Sequence, residues 1–194
     1  MSLSITTYSV YLLDSLLFEN MKQCEESVNT PGPVNALIQL TKYGKRRTEN
    51  KINKYDAMYI RQLSNDCLAC IRHFGGEQMW NLLIIQYGFI QAQIECVSIC
   101  GGCEDEYIIA NQMRLMNIKY AFDDLRNDME DKQIKSDLEK VEEEIIEEEG
   151  GLEEIDSNKL HTQQLKEDGI YYWANQAMDS VLNTKKDITN EEDE

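Results

Sequence analysis

An all-α bundle is the fold class that this sequence predicts, and three observations carry it. The chain holds only 2 prolines in 194 residues, so little interrupts a helix. Leu, Ile, Met, Glu, Lys and Gln dominate, and most of these favour helix. Apolar residues recur at spacings of three and four, and Gly-Gly pairs at 75–76, 101–102 and 150–151 stand where those runs stop. Glycine just past a periodic run is a common helix terminator. A chain of this length suits one domain with a sizeable core, or one domain with an appendage.

The first helix is expected from about Thr7 to Cys24, with Leu12, Leu13, Leu16, Leu17, Met21 and Cys24 on or near one face. Asn29-Thr-Pro-Gly-Pro33 ends the connection that follows. A short helix is expected over about Val34–Tyr43, then a polar loop, then a longer helix over about Ile52–Phe74. His73, near the end of that helix, suits a C-terminal turn, where the helix dipole favours positive charge. Gly75-Gly76 then turns the chain into residues 77–100.

The 77–100 segment differs from its neighbours. Met79, Trp80, Leu82, Leu83, Ile84, Ile85, Tyr87, Phe89, Ile90, Ile94, Val97 and Ile99 surround it, and only Glu77 and Glu95 are charged. A helix apolar on all sides is usually buried on all sides. The expected architecture is therefore a bundle around a buried central helix at about 77–100, with Gly88 as a close-packing point or a kink. Interspersed Gln and Asn oppose a membrane reading, and no apolar run reaches the length a bilayer span needs.

Charge divides the chain more sharply than hydropathy does. Residues 1–103 carry nine basic and nine acidic side chains, whereas residues 104–194 carry ten and twenty-seven. The whole net charge of −17 lies in the second half. The organisation expected from this is a bundle core at 1–125, an acidic helical extension or linker at 126–156, an amphipathic helix at 157–184, and a disordered acidic tail at 185–194. Residues 126–156 hold fourteen acidic and four basic side chains. So acidic a segment opposes direct nucleic-acid binding, because phosphates are repelled.

Two apolar stripes are candidate protein-binding faces. Ile134, Leu138, Val141 and Ile145 recur at spacings of four, three and four within the acidic extension. Ile170, Trp173, Ala177 and Val181 recur at three, four and four in the last helix, where packing within the chain competes with docking into a partner's groove. Lys42, Lys45, Arg46, Arg47, Lys51 and Lys54 form the single basic cluster. It suits an acidic segment, from this chain or a neighbouring copy, better than a nucleic acid, since few aromatics interleave it.

Cysteine spacing raises the question of a metal. Cys67-x-x-Cys70 and Cys100-x-x-Cys103 form a pair of C-x-x-C motifs. With 77–100 as one straight helix, however, its ends stand about 36 Å apart. Four thiolates at those ends cannot meet one zinc ion, and only a sharp break at Gly88 would change that. Cys96, Cys100 and Cys103 share one helical face and are the remaining metal candidates, with small buried core residues as the favoured reading.

Glu143-Glu144-x-x-Glu147 followed by Glu153-x-x-Asp156 loosely resembles the acidic motifs of all-α nucleoside-triphosphate pyrophosphohydrolases. The interval is too short for two facing helices, and a Gly-Gly pair lies inside it, so the pattern is read as a solvated charged face.

The function expected from these features is non-enzymatic: a helical interaction or assembly protein, a structural or adaptor subunit of a larger complex such as a virus particle. Its expected partners are proteins, further copies of itself included, with no cofactor. Two other classes stay open, an acidic mimic of nucleic acid and a metal-dependent enzyme or zinc protein. The absence of a basic leader before the first apolar run points to a cytoplasmic or other reducing compartment, where the six cysteines stay thiols.

Overall fold

A computed structural model describes residues 5–18, 20–30, 32–43, 54–74, 82–97, 108–127, 150–160 and 169–191. Among these residues the chain is helical and contains no strand. Among the described residues, eight α-helices and one π-helical turn follow each other: α1 (Ile5–Leu17), α2 (Met21–Asn29), α3 (Pro33–Leu40), α4 (Lys54–Phe74), the π turn (Leu82–Gln86), α5 (Phe89–Val97), α6 (Ile108–Asn127), α7 (Gly151–Leu160) and α8 (Ile170–Glu191). The all-α expectation holds. The helices group into two units, residues 1–92 and 93–194, with the boundary inside α5.

In unit 1, α4 is the hub, and α1, α2 and α3 all pack on it. Its buried residues include Ala57, Ile60, Leu63, Cys67, Leu68 and Ile71. Their spacing of three and four gives one wide apolar stripe. The expected first helix over Thr7–Cys24 is in fact two. Asn20 breaks it, because its side chain accepts a hydrogen bond from the Gln23 amide at 3.2 Å and so caps α2. The break lets Cys24 turn inward, where its thiol lies 3.5 Å from the Leu17 carbonyl and 3.7 Å from that of Cys70. Pro33 opens α3 at its first turn, where a missing N–H is harmless. Arg61 ties α4 to the turn after α3 by donating to the Tyr43 carbonyl at 2.7 Å.

The helix expected at 77–100 is not continuous. Within the described residues it is a π turn followed by α5, separated at Tyr87–Gly88. The Tyr87 amide reaches back five residues to the Leu82 carbonyl at 3.1 Å. Gly88 then takes φ +63, and its carbonyl accepts the Ala92 amide at 3.0 Å, opening α5. One glycine thus ends one helix and caps the next. The burial expected of this stretch is present: Leu83, Ile84, Phe89, Ile90, Ile94, Cys96 and Val97 are in the core. Its rank as the central helix passes to α4 in unit 1.

A β-carbon at Gly88 would meet nothing nearer than the Gln91 side chain at 3.6 Å, so the penalty for Gly88→Ala is backbone strain alone. The expected destabilisation is about 1–2 kcal/mol, read by chemical denaturation. No change would show that the left-handed turn is dispensable.

In unit 2, α8 is the hub, packed on α6 and α7. Gly150 at φ +64 accepts the Glu154 amide at 3.1 Å and starts α7. Gly151, Ile155 and Asn158 of α7 are buried. The last part of the expected 126–156 extension is therefore a packed helix, because Ile155 supplies an apolar contact within the acidic run. The expected boundary at 125 lies within α6, which continues to Asn127. The tail expected to be disordered from 185 is helical to Glu191. No glycine or proline follows Ile170 in α8, so the helix propagates.

Candidate functional site

The most unusual surface in the described residues is the outward face of α1. Ile5, Tyr8, Tyr11, Leu12 and Leu16, with Phe18 just beyond the helix, are exposed, from 51% for Leu16 to 86% for Ile5. Thr7, Val10 and Leu17 on the opposite face are buried. Steps of 100° per residue place Ile5, Tyr8, Leu12 and Leu16 in one stripe, with Tyr11 on its flank and Phe18 beyond the helix end, nearer the Asp14 side. The only charged residue of the helix, Asp14, lies on the inner side, where the Cys67 thiol stands 4.0 Å from its Oδ1. The helix thus presents its more apolar side outward. A contiguous patch of this kind marks a binding surface more often than ordinary solvated surface does.

Beneath α1 lies a group of carboxylates and thiols: Asp14, Cys24, Asp66, Cys67 and Cys70. Asp66 accepts from Gln62 Nε2 at 3.0 Å, yet burial and the charge of Asp14 push its carboxyl up to about 6. Burial alone raises that of Asp14. The Cys67 thiol, buried against Val10 and beside Asp14, is pushed far above its usual range. Cys70 is pushed up to about 11, first by burial and then by Asp14. Thiols held neutral in this way are poor nucleophiles and poor metal ligands. Among the described residues, no group of three or more His, Cys, Asp or Glu side chains is arranged to hold a metal ion.

Unit 2 buries polar groups that its packing puts to use. Arg114 of α6 is 1% exposed and donates to the Cys96 carbonyl at 3.2 Å and to Asn111 Oδ1 at 2.8 Å. It fastens the end of α5 to α6. Asp123 of α6 accepts from Ser180 of α8 at 2.8 Å and pairs with Lys119, whose ammonium stands 4.6 Å from the centre of the Tyr120 ring. Tyr120 in turn faces Trp173 of α8 at 6.4 Å.

Ile170, Ala177 and Val181 are buried, with Ala174, on the face α8 turns to its neighbours in unit 2, and Trp173 is half-buried there. Intrachain packing therefore covers most of this face. Ile134, Leu138, Val141 and Ile145 lie outside the described residues. So do Cys100, Cys103, Lys45, Arg46, Arg47 and Lys51, while Lys42 follows α3 and Lys54 begins α4. Cys96 is buried in α5, and Cys67 and Cys70 belong to α4 of the other unit. Glu153 and Asp156 are exposed on α7, with Lys159 paired to Asp156 at 3.0 Å, as a solvated charged face requires.

Compared with family models, with curated proteins and with solved structures, the chain matches none. No helix among the described residues is long and apolar enough to cross a membrane. Three-four spacing does not mark the α1 stripe as surface, because a core-facing helix shows the same spacing. The available signal was composition: a 13-residue helix with a single charge and apolar side chains on both sides.

Proposed function

We propose that this protein works as a non-enzymatic helical interaction subunit, with the outward face of α1 as its docking surface. The observation that supports the reading is the uncharged run of Ile5, Tyr8, Leu12 and Leu16, which are more than half exposed beside Tyr11 and Phe18. Exposed aromatic and aliphatic side chains with this density supply the anchors that interfaces use. The four described free thiols fit a reducing compartment, which is where we place it.

The test is a photo-cross-linking residue installed at Leu12, with Glu25 on the exposed side of α2 as the control position. In native cell extract, position 12 is expected to give discrete protein adducts that position 25 does not. Equal or absent labelling at both positions would remove α1 as a docking surface.

A further inference from the structure

We propose that the partner of the α1 face is a second copy of this chain, joined by two antiparallel α1 helices around a two-fold axis. The inference rests on the interaction reading above and makes it specific.

The spacing of the stripe is nearly self-complementary. Its four central members, Ile5, Tyr8, Leu12 and Leu16, are centred between Tyr8 and Leu12. An antiparallel neighbour with the same centre sets Ile5 against Leu16 of the second copy, and Tyr8 against its Leu12. Each contact then occurs twice, as an isologous interface demands. Tyr8 meets the smaller Leu12 and Ile5 meets Leu16 of equal size, so neither copy must present a different surface. A helix of 13 residues is about 20 Å long, enough for all four contacts along one seam.

The seam is a small one. With a full aromatic side chain worth roughly 150–250 Å², its four members and the flanking Tyr11 present on the order of 600 Å² from each copy, the low end of specific interfaces.

Charge selects the same face. Two chains of net charge −17 repel each other, but the charge is unevenly placed. Residues 1–92 carry nine basic and eight acidic side chains, and residues 93–194 carry ten and twenty-eight. Approach of two copies is therefore least opposed through unit 1. Within unit 1 the α1 stripe sets no charge against its counterpart, because Asp14 lies beside Cys67 of α4.

Light scattering on the purified full chain during size-exclusion chromatography tests the proposal. The expected mass is twice the 22.5 kDa of one chain. Leu12→Glu places a carboxylate in the middle of the seam and is expected to weaken pairing on the order of a hundred-fold. Ile5→Glu is expected to do the same from the end of the seam, and it is safe for the fold, since the first turn of a helix favours negative charge. Tyr8→Lys added to Leu12→Glu sets opposite charges across the seam twice, and is expected to restore pairing in part. Unchanged helical circular dichroism in Ile5→Glu shows that lost pairing is not lost folding. A wild-type chain that stays at 22.5 kDa throughout the micromolar range overturns the proposal, as does a dimer that both glutamate variants leave intact. Should the chain be monomeric while position 12 cross-links to a different protein, self-pairing fails and the interaction reading stands. Should position 12 give no adduct at all, both fall.

Discussion

Replacing Phe122 with alanine is expected to destabilise unit 2 by about 3–5 kcal/mol. Phe122 is 1% exposed and among the largest fully buried side chains of the described residues. It sits on α6 one residue before Asp123, the acceptor for Ser180 of α8. Ile118, Ala121 and Phe122 of α6, and Ala174, Ala177 and Val181 of α8, are all buried. The small α8 side chains let the two helices approach closely, so little nearby bulk can relax into the space of a lost ring. Domains of ordinary stability hold only about 5–15 kcal/mol in total, so the variant should lose much of its margin. Amide exchange of α6 and α8 is the measurement: opening rates should rise by two orders of magnitude or more. A change below tenfold would mean that the α6–α8 core is not what holds the unit together.

The second large effect is on pH dependence, and Asp66→Asn isolates it. The Asp66 carboxyl stands at about 6 in the folded chain, against an ordinary 3.8, because burial disfavours its charge and Asp14 adds repulsion. Above pH 6 both folded and unfolded chains carry the charge, and the folded one bears the cost of burying it. As pH falls through about 6, the folded chain takes up the proton while the unfolded chain does not until about 4. Stability contributed by this group therefore rises from neutral pH toward pH 4 and is absent above about 7, the reverse of a salt-bridged carboxylate. Two pH units correspond to at most about 3 kcal/mol, and partial solvent access reduces this to about 1–2 kcal/mol. Asp14 shifts in the same direction. Asparagine keeps the shape and can still accept from Gln62, so the variant should be more stable by about 1–2 kcal/mol at pH 7.5 and equal to wild type near pH 4. Denaturation midpoints across that range decide it. A variant with the same slope as wild type would place the titration elsewhere.

Each misplaced boundary has a local cause. The division of the first helix turned on Asn20, whose cap competes with an apolar period that runs on regardless. Gly88 had two readings in sequence, and the positive φ settled on a break. Gly150-Gly151 stands where a periodic run stops, but Gly150 begins a helix, since a positive-φ glycine can serve either end. Cysteines behaved as their composition suggested: Cys24, Cys67 and Cys96 are core side chains.

Residue order is enough to show that the described chain is helical, where most helices lie, and that the charge gathers in the second half. Those properties follow from nearest neighbours along the chain: propensity, proline scarcity, glycine position and the count of carboxylates. Which apolar residues enter the core depends instead on long-range packing. Leu17 and Leu16 are adjacent and chemically identical, yet one is fully buried on the α4 side and the other is half exposed. Periodicity states that a face exists. Packing against α4 determines which face turns inward, and with it which side of α1 remains to meet another chain.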